Sequence, residues 1–153
     1  MGYFINSHRN YYFIMRQLLE TLEIQTNGQR LIEITDKITN VVHQSNINTG
    51  IINLSILHTS ASLLVQENAD PDVVKDLLSY FDKLAPMNPA LYIHGAEGKD
   101  DMPAHIKTAL TQTHLTLSIH NTDLALGTWQ GIYLFEHRLQ PHHRKVLLHI
   151  MGE

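Results

Sequence analysis

In the last third of the chain apolar and polar residues take turns. Leu115, Leu117 and Ile119 stand against Thr116, Ser118 and His120, and Val146, Leu148 and Ile150 repeat the pattern near the end. A period of two marks strands with one face in a core and the other in water. With the run from Trp129 to Phe135 between them, these segments predict a sheet whose strands pair mostly antiparallel.

Helices interrupt the strands. Asp70-Pro71-Asp72 offers a capping carboxylate, a proline at the first helical position and an acid favoured by the helix dipole, and Val73, Val74, Leu77, Leu78 and Phe81 form one stripe behind it. A second start lies at Asp101 to Pro103, with Ile106, Ala109 and Leu110 as its buried stripe and His105 in its first turn. A shorter helix follows Thr35 or Asp36, either of which can accept from free amides, and runs through Ile38, Val41 and Val42 to about Gln44. Leu18, Leu22 and Ile24 precede Asn27-Gly28, and Leu31-Ile32-Glu33-Ile34 follows, which reads as a β-hairpin. Ile51 to Leu57, apolar on both faces, reads as a buried strand. The fold class is therefore α+β.

A chain of 153 residues with 43% apolar content fits one domain with one sizeable core. No repeat or linker divides it, although Leu84 to Pro89 holds two prolines and reads as a connection. Residues 1–14 lack any period and are expected to be an N-terminal extension to a domain spanning 15–153. Asn6, His8, Arg9 and Asn10 break up the apolar run a signal peptide needs, and no later run approaches a membrane span, so the cytoplasm is the expected compartment. With a net charge of -4 and its basic residues scattered, the chain is not expected to bind nucleic acid. The absence of cysteine excludes disulfides and thiolate metal sites.

Chemistry concentrates in residues 94–105. His94, Glu97, Asp100, Asp101 and His105 share one segment with Gly95 and Gly98. Imidazole and carboxylate are what a divalent metal takes, and glycines let a backbone fold closely around an ion. Without the histidines, the same acids would read as a solvated loop. His58-Thr59-Ser60-Ala61-Ser62 and Glu67-Asn68 stand at element ends, where sites tend to be built, although Asp70 reads simply as a cap. Strict alternation around Trp129 puts Gln130, Glu136 and Arg138 on one parity, where polar groups from both ends of a strand would converge on a pocket. Gly127-Thr128 and Gly131 would allow close backbone approach to an anion. The other histidines, at 8, 43, 114, 120, 137, 142, 143 and 149, lie on polar helix faces, strand faces or turns, and most of them read as surface residues. No glycine-flanked serine of the nucleophile-elbow type occurs, so Ser60 or Ser62 beside His58 does not make a triad.

In order, His58-Thr59-Ser60-Ala61, Glu67-Asn68 with Asp70, the 94–105 segment and Leu126-Gly127-Thr128-Trp129-Gln130-Gly131-Ile132 resemble the YjbQ-like family, often described as secondary thiamine-phosphate synthases. The resemblance covers about residues 15–151. It implies a compact, mostly antiparallel β-sandwich with about three helices, assembled as a homotrimer. The activity it implies is weak joining of a hydroxymethylpyrimidine pyrophosphate to a thiazole phosphate. Asp101 stands where relatives often carry Asn, and Gln66 where Asn is common; the added charge of Asp101 bears on metal preference and phosphate affinity.

Clustering and ligand type lead to a specific expectation. A divalent metal, whether zinc, magnesium, manganese or iron, would be bound by His94 and His105 with His58 as third ligand and Glu97 or Asp100 as oxygen donors. Arg138 would hold a phosphate in its planar fork, Gln130 would orient the substrate ring, and Glu136 would pair with Arg138 or meet a developing cation. Ser60, Asn68, Lys99 and Thr128 complete the expected substrate contacts. Two readings from other classes stand beside this one: a protein that binds a metal or phosphorylated ligand without catalysis, and a metal-dependent hydrolase.

Overall fold

Strand alternation decides which side chains face the core. A computed structural model describes residues 14–153, so the expected N-terminal extension lies almost wholly outside the described residues. The elements run β1 (Arg16–Gln25), β2 (Arg30–Glu33), α1 (Thr35–Ser45), β3 (Thr49–Ile56), β4 (Ala61–Glu67), α2 (Pro71–Leu84), α3 (Asp101–Leu110), β5 (His114–His120), β6 (Asp123–Leu124), β7 (Gln130–Glu136) and β8 (His143–Gly152). A short 3₁₀ turn at Pro89–Leu91 lies between α2 and α3.

The strands form two sheets, one ordered β1-β8-β3-β5-β6 and the other β2-β7-β4, with every pairing antiparallel. Ile52, Leu54 and Ile56 from β3, Leu115 and Ile119 from β5, and Val146, Leu148 and Ile150 from β8 point inward to meet Leu63, Ile132 and Leu134 of the smaller sheet. Ile38, Val41 and Val42 of α1 join the same core. Burying each such side chain contributes roughly 1.5–3 kcal/mol, which is why alternation was informative here. The α+β sandwich with three helices agrees with the sequence reading. Among the described residues no helix is long and apolar enough to cross a membrane.

Several local expectations need correction. The segments flanking Asn27-Gly28 are not a hairpin: β1 pairs with β8, and β2 with β7, so the chain changes sheets at that corner. Gly28 does take a positive φ of 81°, but the turn serves a crossing between layers. Neither Thr35 nor Asp36 caps α1; its cap residue is Ile34, with no side-chain bond, and the Thr35 hydroxyl accepts from Ile132 N–H at 2.9 Å. β3 is not apolar-buried on both faces, since Ile51 is exposed while Ile52 and Leu54 are buried. The Asp70 cap on α2 is present, its side chain accepting from Asp72 N–H.

The face that α3 buries is the most instructive difference. Its buried residues are Asp101, Pro103, Ala104, Lys107 and Thr108, while Ala109 and Leu110 are exposed and Ile106 is half-buried. Ion pairs rotate the helix: Lys107 Nζ, fully buried, donates to Asp82 of α2 at 2.6 Å, and Asp101 is held by Arg138. Apolar periodicity alone could not reveal a helix face chosen by charge pairing.

Candidate functional site

The register of the smaller sheet brings one set of chemical groups together and keeps another away. Ala61 of β4 lies opposite Glu136 of β7, and Glu67 opposite Gln130. Residues just before β4, His58 to Ser60, therefore emerge beside those just after β7, His137 and Arg138. α3 packs on β4, which delivers His105 and Asp101 to the same end. The His105 Nδ1–H donates to the Thr59 carbonyl at 3.0 Å and ties the helix to the 58–60 loop.

At that end the ligand atoms of His94, Asp101 and His105 all lie within 4.8 Å of one another. The two imidazole centroids are 5.6 Å apart. Asp101 Oδ2 sits 2.7 Å from His94 Nε2 and 3.4 Å from His105 Nε2. Because the His105 Nδ1 proton is engaged by Thr59, a neutral His105 turns the lone pair of Nε2 toward the carboxylate. Either a proton or a metal ion between these two atoms would reconcile them, and a carbonyl-anchored imidazole beside a buried carboxylate is an arrangement that could hold a metal. The nitrogen and oxygen donors fit a divalent ion such as zinc or manganese.

Arg138 organises the carboxylates around this group. It donates through Nε to Asp100 Oδ2 at 2.9 Å, through Nη1 to Asp101 Oδ1, and through Nη2 to the Glu97 carbonyl at 2.8 Å. Asp100 also accepts from Leu139 N–H. Burial alone would raise the Asp100 pKa, but the Leu139 amide and the guanidinium outweigh it and hold the carboxyl below its usual range.

Behind the 58–60 loop lies a second ion pair with no exposure at all. Arg144 donates through Nε to Glu136 Oε2 at 2.7 Å and through Nη2 to Oε1 at 2.5 Å, and Thr26 Oγ1 donates to Oε2 at 2.8 Å. Burial opposes ionisation of Glu136, yet the Arg144 hydrogen bonds, the Arg138 amide and Thr26 lower its pKa overall. Arg144 Nη2 also donates to Ser60 Oγ at 3.1 Å.

The chain matches the family model described as UPF0047 protein YjbQ-like over residues 20–153. A UPF0047 protein of Synechocystis is 50% identical, with 90% of this chain and 94% of that protein covered. The chain belongs to the YjbQ-like UPF0047 family. The YjbQ protein of Salmonella typhimurium is 44% identical over 87% of this chain and 95% of its own length. A solved family member from Clostridium acetobutylicum superposes with a TM-score of 0.76 at 37% identity, covering 87% and 98% of the two chains. A YbjQ-like protein of unknown function from Sulfolobus solfataricus gives 0.84 at 22% identity over 92% and 100%, a likeness of fold. The resemblance read from the sequence motifs is thus confirmed at the level of family and fold.

Within this YjbQ-like chain the expected site residues divide. His94 and His105 come together, but the oxygen between them belongs to Asp101; Asp100 is turned to Arg138, and Glu97 is exposed with its carboxylate 4.0 Å from Arg138. His58 stands outside that group, its Nδ1 taken by Ser60. Arg138 is engaged by carboxylates rather than presented as an open phosphate fork. Glu136 pairs with Arg144, not with the Arg138 side chain. Lys99 is exposed on the 94–105 loop.

Gln130, Thr128 and Asn68 lie at the other end of β7, roughly 20 Å away at about 3.3 Å per residue, so the two ends of the strand do not converge within one chain. Gln130 Oε1 accepts from Gly127 N–H at 2.7 Å and closes its own turn, and Asn68 Nδ2 donates to Glu33. A Cβ on Gly131 would meet Glu33 Oε1 at 2.6 Å, so a carboxylate occupies the approach expected for an anion. Sequence reading missed Asp101 as a site oxygen and Arg144 altogether. It also grouped His137 with histidines read mostly as surface residues, whereas His137 is buried, with Nε2 2.9 Å from Ser62 Oγ and its ring centroid 4.1 Å from that of Phe135.

Proposed function

We propose that this protein is a metal-assisted transferase acting on small phosphorylated molecules, of the thiamine-phosphate synthase type that the family resemblance implies. The observation that carries the reading is Asp101 Oδ2 facing both His94 and His105 while Arg138 fixes its other oxygen. A divalent cation bound by these three residues would supply the positive centre that stabilises a departing pyrophosphate. His105 keeps Nε2 forward because Thr59 holds Nδ1. Arg138 orients Asp101 and Asp100 and, with the Leu139 amide, holds the Asp100 carboxyl below its usual range. Lys99 adds an exposed cation on the same loop for a second phosphate. In the reaction, the pyrimidine methylene carbon–oxygen bond breaks, its electron pair leaves with pyrophosphate, and the thiazole nitrogen donates its own pair to that carbon.

The reading extends to a homotrimer in the cytoplasm. Leu57, Ile93 and Leu139 are 55%, 106% and 43% exposed and adjoin His58, His94 and Arg138 in sequence. A neighbouring copy that covered this apolar rim would remove it from water. The Gln130 end of β7, with Trp129 64% exposed, would reach the site only from another copy.

A second reading has its own support. Two imidazoles and one carboxylate leave coordination positions open, which is the ligand count of sites that activate water for hydrolysis. Metal analysis of the purified chain, then turnover with both thiamine precursors, separates the readings when wild type is run beside His105→Ala. Metal-dependent product supports the transferase, phosphate release alone supports the hydrolase, and retained metal without turnover leaves a ligand-binding protein.

A further inference from the structure

His58 is exposed, and its ring is fixed by what donates to it. Ser60 N–H reaches His58 Nδ1 at 3.1 Å, and Ser60 Oγ lies 3.0 Å from the same atom. An amide nitrogen only donates, so Nδ1 carries the lone pair and a neutral ring carries its proton on Nε2. Ser60 Oγ accepts from Arg144 Nη2, which leaves the hydroxyl proton free to turn toward Nδ1. Burial, Arg144 and His142 together lower the His58 pKa, so the neutral ring prevails.

This tautomer is the wrong one for a metal ligand. Coordination through Nε2 would require loss of its proton, and coordination through Nδ1 would break both contacts with Ser60. What the ring can do is donate. Its surroundings favour an anionic acceptor: the buried Arg144 Nη1 has no hydrogen-bond partner, and the Glu136 carboxylate beside it is already held by Arg144 and Thr26. His142 bounds the space with its ring centroid 6.4 Å from that of His58. Its Nδ1–H donates to the Gln140 carbonyl at 2.8 Å. The adjoining residue, Thr59, anchors His105, so this donor stands on the loop that steadies the three-residue group.

We propose that His58 Nε2–H, backed by Arg144, is an oxyanion-binding subsite for a phosphate oxygen of the ligand, beside the His94–Asp101–His105 group and not part of it. The subsite rests on the phosphorylated-ligand reading above and names a residue that would recognise that ligand. A neutral donor on an oxyanion resembles the imidazole electrophiles that polarise substrate oxygens in other enzymes. Losing one hydrogen bond to a charged group weakens binding by about 1.5–3 kcal/mol, or roughly 10–150-fold.

Long-range nitrogen–proton correlation on the full-length, ¹⁵N-labelled chain tests it directly. Expected are an unprotonated Nδ1 and a protonated Nε2 for His58, unchanged by zinc, with His94 and His105 responding to zinc. Inorganic phosphate should then shift the His58 Nε2–H signal, and its affinity should fall at least about tenfold in His58→Phe. A protonated Nδ1, coordination of zinc by His58, or unchanged phosphate affinity in His58→Phe would overturn the proposal. If zinc leaves His94 and His105 unmoved while phosphate still shifts His58, the metal reading fails and the subsite stands.

Discussion

Arg138 donates to Oδ1 of Asp101, so this buried carboxylate turns a single oxygen, Oδ2, toward the imidazoles. The salt bridge thereby sets the geometry of the whole group from behind. Arg138→Ala should leave the fold intact by circular dichroism and weaken zinc affinity about 10–100-fold, the usual effect of removing an outer partner. Competition against a chromophoric chelator measures it, and unchanged affinity would show that Arg138 does not position the ligand.

The Glu136–Arg144 pair has no exposure on either side chain. Removing one member strands a buried charge and should cost about 3–5 kcal/mol. Urea unfolding of Glu136→Gln and Arg144→Met should show this loss. The double variant should recover part of it, since two neutral groups leave no unpaired charge.

His137 gives the fold a pH dependence of predictable sign. Burial, aided by Lys107 and Arg144, lowers its pKa from 6.5 to about 3. The unfolded chain therefore binds this proton before the native one does. Stability from this group is full above its unfolded value of 6.5 and declines as pH falls toward about 3. Between pH 6.5 and about 5 the loss should be roughly 2 kcal/mol, at about 1.4 kcal/mol per unit. Urea midpoints for wild type and His137→Gln across that interval should diverge; parallel curves would mean that His137 is protonated in the native state.

What the sequence could and could not reveal follows from the range of the forces involved. β5 and β8 were legible because a half-buried strand writes its two faces into neighbouring residues, and α2 because Asp70, Pro71 and Asp72 act on local amides. The hairpin reading failed since Asn27-Gly28 specifies a turn but not the partners of the strands beyond it. Asp101 and Arg144 were missed for a related reason: each is positioned by a partner on another element, and neither pairing leaves a periodic trace. Asp101 is held by Arg138, 37 residues away, and Arg144 of β8 by Glu136 of β7, eight residues away but in the other sheet. His94 and His105 were legible as a pair because loop and helix are contiguous. No local pattern, however, indicated which of the neighbouring acids would point between them.

The most direct test is a cobalt(II) titration followed by visible absorption on the full-length chain and three single variants. We predict a stoichiometric site whose affinity falls in His94→Ala and Asp101→Ala by more than the roughly 10–100-fold typical of an outer partner, and is unchanged in His58→Ala. Wild type without a cobalt band, or Asp101→Ala binding cobalt as wild type does, would contradict the assignment of the centre.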